Sequence, residues 1–306
     1  MTTTTIAPTT TTIPPLLENY VAELRRTGKS ANTIKAYRID LVEFSKWYCI
    51  RTNHDFNPSA LDSQDVVDYR TFTLAQNLKS ASINRRLTSI RKFFDWAVAT
   101  KLIPANPLEA IHKLLVKDQN QPTAPKWLDR NQQLALLREV RKGKNLRDYA
   151  IFQTFLGTGL RISELAVLTL DDVEINERSG WVRVRSGKGT KSREIPLDLK
   201  TRQAIEEYKG VRPTSASNRL FLGQRGPTNP EGINYLVAEY ARRAGLDCTP
   251  HTLRHSYAKT LVDAGIPLDQ VATLMGHESL DTTKIYTKPS RADLEQAVRK
   301  AAGEIL

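Results

Sequence analysis

Residues 181–197 read WVRVRSGKGTKSREIPL, and this stretch decides the architecture of the second half of the chain. Trp181–Arg185 alternates apolar and basic residues at the two-residue period of a strand with one face on a core. Ser192–Leu197 reads as a second strand. SGKGTK between them is a glycine-bearing turn, so the pair is a hairpin with Lys188 and Lys191 at its tip. Helical periodicity flanks it, over Asp129–Arg141, Asn145–Thr158 and Ser163–Thr169 upstream and over most of the chain down to Leu306. A hairpin set among helices makes this half mixed α/β.

Further toward the N-terminus, residues 113–125 are polar, non-periodic and closed by Pro122 and Pro125, the composition of an interdomain linker. Residues 16–112 read as a small helical bundle. Ser30 is placed to cap a helix carrying Ile34, Tyr37, Leu41, Phe44 and Tyr48 at three- and four-residue steps. A second helix from Ser80 or Ser82 carries Ile83, Leu87, Ile90, Phe94 and Ala97; Leu16–Arg26 and Gln64–Leu78 supply two more. Lys35, Arg38, Arg85, Arg86, Arg91 and Lys92 lie on the polar faces. Residues 1–15 are Thr/Pro-rich with little to bury, and read as a flexible tail. The expected plan is therefore 1–15 tail, 16–112 helical domain, 113–125 linker and 126–306 mixed domain.

Charge favours a polyanion as partner. The net charge is +12, from 16 Lys/Arg against 11 Asp/Glu in residues 1–125 and 29 against 22 in residues 126–306. Both halves are basic. No apolar run approaches the roughly 18 residues that span a bilayer, and no signal peptide opens the chain, so no membrane partner and a cytoplasmic, nucleoid location are expected. Two lone cysteines, Cys49 and Cys248, make no disulfide framework.

Six polar residues in the second half carry chemistry: Arg161 in TGLRISEL, Lys188 on the hairpin tip, His251 and Arg254 in HTLRH, and His277 and Tyr286 in GHESLDTTKIYT. Gly157-Thr158-Gly159 permits a tight turn that delivers Arg161 to a helix entry, and Glu164, three residues on, shares its face and can orient the guanidinium. His251 and Arg254, also three apart, share a helix face. Two arginines can hold the non-bridging oxygens of a phosphate. A tyrosine can attack the phosphorus, and a lysine and histidines can move the protons. One rival reading uses the same residues: Cys248, His251, His255 and His277 have zinc-like spacing, but Arg254 would push a guanidinium at the ion. No metal and no organic cofactor is the expectation.

These motifs, in this order and behind a basic helical domain, closely resemble the tyrosine recombinase (integrase) family and its simple Xer-like members, from about Leu16 to the C-terminus. GKSANTIKAYRIDLVEF, SINRRLTSIRKFFDWA and NPLEAI resemble that family's N-terminal core-binding domain. The resemblance implies a SAM-like helical core-binding domain and a mixed α/β catalytic domain, mainly α with a small β-sheet, closing as a clamp on duplex DNA. It implies that Tyr286 becomes a 3′-phosphotyrosyl and that Arg161 and Arg254 stabilise the phosphorane. It makes Lys188, rather than Lys191, the general acid, has His251 accept the tyrosine proton, puts His277 on the phosphate and leaves His255 structural. It implies a homo-tetramer, or a hetero-tetramer with a related recombinase, on double-stranded DNA with inverted-repeat sites.

Two other classes share these residues, a type IB topoisomerase-like relaxing enzyme and a DNA-binding accessory protein with an idle site. The core-binding domain begins almost at once, leaving no room for an extra arm-binding domain, which favours a simple recombinase. At the other end Ala292, Leu294, Ala297, Val298, Ala301 and Ile305 form an apolar stripe that needs a groove. The resemblance implies that the segment Arg291–Leu306 passes to a neighbouring protomer on DNA.

Overall fold

A computed structural model describes residues 15–109, 115–116, 126–185, 192–277, 281–287, 298–299 and 302. The chain divides into two compact units, Met1–Thr123 and Ala124–Leu306. The tail 1–14, the hairpin tip with Lys188 and Lys191, and nearly all of the C-terminal stripe lie outside the described residues.

Among the described residues the first unit is helical: α1 (Pro15–Arg26), α2 (Ala31–Thr52), α3 (Ser63–Ala75) and α4 (Ser80–Ala99). Ser30 starts α2 as its spacing predicts, its side-chain oxygen accepting from the Thr33 N–H at 3.1 Å. Leu41, Phe44 and Tyr48 of α2 and Ile83, Leu87, Ile90, Phe94 and Ala97 of α4 are buried in one core. Tyr69 of α3 meets Phe44 edge to face at 4.9 Å. Burying side chains of this size stabilises the bundle by about 1.5–3 kcal/mol each. α3 starts one residue before the expected Gln64 and ends three short of Leu78, where Asn77 takes a positive φ of 55°. Within the stretch read as linker, Val116 is fastened to α4: Asn84 donates to its carbonyl at 3.0 Å and accepts from its N–H at 2.8 Å.

The second unit is mixed. It comprises α5 (Arg130–Lys142), α6 (Leu146–Thr158), α7 (Ile162–Val167), β1 (Val173–Ile175), β2 (Gly180–Val184), β3 (Arg193–Pro196) and α8 (Leu199–Val211). A two-residue ribbon of β4 (Leu222–Gly223) and β5 (Gly226–Pro227) follows. Then come α9 (Pro230–Arg243), α10 (Pro250–Asp263), α11 (Leu268–Met275), α12 (Asp281–Lys284) and a 3-10 turn at Ile285–Thr287. α6 is the central helix, buried from Asp148 to Phe155 and packed on α8 and α10.

The expected hairpin is β2 and β3, antiparallel, with Val182 opposite Ile195 and Val184 opposite Arg193. Val182, Val184 and Ile195 face the core. β1 adds a third strand beside β2 that the sequence pattern did not announce. The helix expected to reach Thr169 ends at Val167. Thr169 instead gives its N–H and hydroxyl to Asp172 Oδ2, at 2.9 and 2.7 Å, and this local bonding competes with the helix. Among the described residues no helix is long and apolar enough to cross a membrane.

Candidate active site

Four chain segments of the second unit meet at the C-terminal end of α11. Gly159 closes α6 in the left-handed region, φ 61°, where a Cβ would lie 2.3 Å from the Tyr257 ring. Only glycine suits that turn, and it hands the chain to Arg161 at the entry of α7. β3 brings Arg193, α10 brings His251, Arg254 and His255, and the turn after α11 brings His277.

Helix ends leave carbonyls without partners. Three guanidinium groups take three consecutive ones. Arg193 Nε donates to Leu274 O at 3.0 Å, Arg254 Nη2 to Met275 O, and Arg161 Nη2 to Gly276 O at 3.0 Å. The negative end of the α11 dipole suits all three. Arg254, 4 % exposed, also donates through Nη1 to Gly159 O. Burial, with Arg161 next, lowers the Arg254 pKa to about 10. It is still a cation at neutral pH.

One carboxylate serves this group. Glu164 Oε1 accepts from Arg161 Nη1 at 2.9 Å, and its two oxygens accept the Arg193 fork at 3.0 and 2.9 Å. The Arg161 N–H reaches Oε2 at 2.8 Å. Burial pushes the Glu164 carboxyl up, but Arg193 and then the Arg161 backbone outweigh it and hold it below the ordinary value. Because backbone carbonyls do most of the holding, three positive charges face a single negative one among the described residues. That surplus is a site for an anion.

Tyr286 lies beside it. The 3-10 turn packs on α10, and Tyr286 is 1 % exposed among Tyr257, Ala258, Val271 and Met275. Burial raises the Tyr286 pKa above the usual 10.0, with Arg254 opposing, so the phenol is protonated at rest. Its hydroxyl sits 2.7 Å from His255 Nδ1. His251, one turn earlier, is solvent-exposed, its ring centre 6.4 Å from that of His255. Burial, then Arg254 and Arg161, drives the His277 pKa down to about 4, so its ring is neutral. Its Nδ1 lies 2.9 Å from Thr283 Oγ1.

The structure thus gathers Arg161, Glu164, Arg254, His277 and Tyr286. Two residues were missed. Arg193 was legible: it lies two residues before the buried Ile195, on the inward side of β3, and closes the GKGTKSR run. His255, expected to be structural, is the histidine that meets the tyrosine; its spacing from Arg254 carries no such signal.

The zinc-like spacing finds no support in the geometry. Among the described residues no group of three or more His, Cys, Asp or Glu could hold an ion.

In the first unit Lys35, Arg38, Arg85, Arg91 and Lys92 are exposed, while Arg86 is half-buried with an unpartnered buried Nε. Arg85 is tethered to Asp40, a carboxylate 1 % exposed on α2, which also accepts from Ser89 at 2.7 Å.

Known proteins share this plan along nearly the whole chain. Residues 126–292 match the model of the phage integrase family, and residues 17–101 that of the phage integrase N-terminal SAM-like domain. The chain is 34 % identical to tyrosine recombinase XerC of Myxococcus xanthus, over 95 % of this chain and 98 % of that protein. It is 32 % identical to tyrosine recombinase XerA of Pyrococcus furiosus, over 94 % and 93 %. Among solved structures, XerH recombinase bound to a palindromic difH substrate superposes with a TM-score of 0.74 at 20 % identity, over 92 % of this chain and 83 % of that one. A Tn1549 transposon integrase bound to transposon right end DNA gives 0.72 at 21 %, over 94 % and 99 %. With both domain models matched in order and relatives of this identity aligned over more than nine-tenths of the chain, the chain belongs to the phage integrase family, as an Xer-type tyrosine recombinase that breaks and rejoins DNA strands.

Proposed function

We propose that this recombinase exchanges strands between two copies of a duplex site with inverted repeats, four protomers at a time, as a homo-tetramer or with a related recombinase. The observation that carries the reading is the surplus of three guanidiniums over one carboxylate beside a buried tyrosine hydroxyl. A phosphodiester supplies the missing negative charge. As the phosphorane forms, its oxygens gain charge where Arg161 and Arg254 already stand, so stabilisation grows toward the transition state.

Tyr286 attacks the scissile phosphate and becomes a 3′-phosphotyrosyl. Lys188, from the hairpin whose feet are β2 and β3, gives the 5′-oxygen its proton. His277, neutral, hydrogen-bonds the phosphate. The phosphotyrosyl bond keeps the energy of the bond it replaced, so a 5′-hydroxyl from the other duplex rejoins it without a nucleotide cofactor. Lys35, Arg38, Arg85, Arg91 and Lys92 supply phosphate contacts from the first unit, with Arg86 held closer to the core. This chemistry serves chromosome-dimer resolution and mobile-element integration, excision or resolution alike.

The test is topological. A binding site is first selected from a random duplex library, then placed once or twice on a supercoiled plasmid. The reading predicts recombinant products that require two sites. Relaxation of the one-site plasmid with no recombinants is the outcome of a topoisomerase; binding with no covalent adduct is that of an idle accessory protein.

A further inference from the structure

A tyrosine that attacks phosphorus must give up its phenolic proton, and Tyr286 is protonated at rest. Among the described residues one acceptor stands at its oxygen. His255 Nδ1 is 2.7 Å from Tyr286 Oη, within the range for general-base transfer, and the two rings sit 5.6 Å apart at 51°. His251 shows no hydrogen bond to Tyr286 among the described residues, and it is exposed to solvent.

We propose that His255 is a catalytic residue, the base whose Nδ1 holds the Tyr286 hydroxyl and takes its proton as the phenolic oxygen bonds to phosphorus. This rests on Tyr286 being the nucleophile. The step balances. The Tyr286 O–H bond breaks and an N–H bond forms at His255 Nδ1. The Oη–P bond forms while the P–O5′ bond breaks, and the leaving oxygen takes a proton from Lys188. On rejoining, the attacking 5′-hydroxyl returns a proton to Lys188, and His255 returns one to the departing Tyr286. Nδ1 accepts only when the ring hydrogen is on Nε2, which fixes the tautomer.

The surroundings of His255 give this base a trigger. From its own helix it faces His251 and Arg254; from the 3-10 turn, Tyr286; from the turn after α11, His277. Arg161 and Arg193 stand beyond Arg254. None of these is an anion. Burial first, then His251 and Arg254, keeps the imidazole below its ordinary pKa, so it is neutral and able to accept. The Arg254 guanidinium, with Arg161 and Arg193 beyond it, likewise opposes the imidazolium that would form. A phosphodiester bound among the arginines offsets them, so proton transfer becomes favourable when substrate is in place. An empty site keeps its nucleophile protonated.

The discriminating variant is His255→Asn. Its side-chain amide occupies the place of Nδ1 and can still accept from Tyr286, but it is no base. Single-turnover formation of the covalent adduct on a nicked suicide duplex is followed against pH for wild type, His255→Asn, His251→Ala and Tyr286→Phe. Thermal unfolding and specific DNA binding are measured on each. The expected result is a fall of about 100-fold at neutral pH for His255→Asn. The acidic limb of the wild-type profile should also be lost in that variant and kept in His251→Ala. Cleavage by His255→Asn within about five-fold of wild type overturns the proposal, as does an acidic limb that disappears with His251→Ala instead. Adduct formation by Tyr286→Phe would show that the nucleophile, not the base, had been misassigned. Should His255→Asn fail to fold, NMR of the wild-type histidine ring nitrogens decides: the Nε2–H tautomer at His255 supports the proposal, and the Nδ1–H tautomer overturns it.

Discussion

Glu164 takes both arms of the Arg193 guanidinium, Nη1 to Oε1 at 3.0 Å and Nη2 to Oε2 at 2.9 Å, and so ties the foot of the Lys188 hairpin to the helix that Arg161 enters. Arg193 is nearly buried and Glu164 largely so. Removing one partner of such a pair leaves an uncompensated charge, at a cost of about 3 kcal/mol.

Glu164→Gln should therefore lower stability at neutral pH by about 3 kcal/mol, measured by denaturant unfolding. The sign with pH follows from the direction of the shift. The folded carboxyl titrates below its ordinary 4.5, so its contribution is complete above that value and is lost as pH falls through the folded pKa. Wild type should lose stability across this acidic window, and the Gln variant should lose less. Parallel pH curves for the two proteins would show that the carboxylate is not bound as described.

The general acid is tested by changing its leaving group. Lys188→Ala should lose cleavage of ordinary DNA and regain it when the bridging 5′-oxygen is replaced by sulfur, whose thiolate leaves without a proton. Lys191→Ala should cleave both substrates like wild type. A sulfur substrate that fails to restore Lys188→Ala would make Lys188 a phosphate contact or a bystander.

Cleavage should persist in EDTA, since guanidiniums stand where a metal would carry the phosphate charge. Activity lost to the chelator and restored by zinc or magnesium would move the Cys248–His277 metal reading ahead.

Truncation after Pro289 should abolish cooperative binding of two protomers to one site and abolish recombination, while one-protomer binding remains. The motive is the apolar stripe from Ala292 to Ile305, which needs a groove. Gel shifts with unchanged cooperativity and an unchanged recombination yield would remove its intersubunit role.

What the sequence made legible is what one chain segment encodes by itself. The stripes of α2 and α4, the Ser30 cap and the two-residue alternation of β2 are local periodicities, and each is present. Arg161 and Glu164, three apart at a helix entry, could be paired from spacing alone. β1 is three residues long, too short to show a period. The carbonyls of Leu274, Met275 and Gly276 are backbone groups, and no letter of the sequence marks them as the receptors of three arginines. His255 was read as structural because the resemblance makes His251 and Arg254 the active pair. Its meeting with Tyr286 depends on how the turn at Ile285–Thr287 docks on α10, a tertiary event between residues 31 apart in sequence.

The account stands on Tyr286 as the nucleophile, and one gel tests it most directly. Wild type and Tyr286→Phe are each incubated with a nicked suicide duplex carrying the selected site and run under denaturing conditions. Wild type should give a slow-migrating covalent protein–DNA species. The Phe variant should bind the same duplex with unchanged specificity, because one hydroxyl supplies the reaction while many contacts supply affinity, and should give none. A covalent species from Tyr286→Phe, or none from wild type, contradicts the assignment.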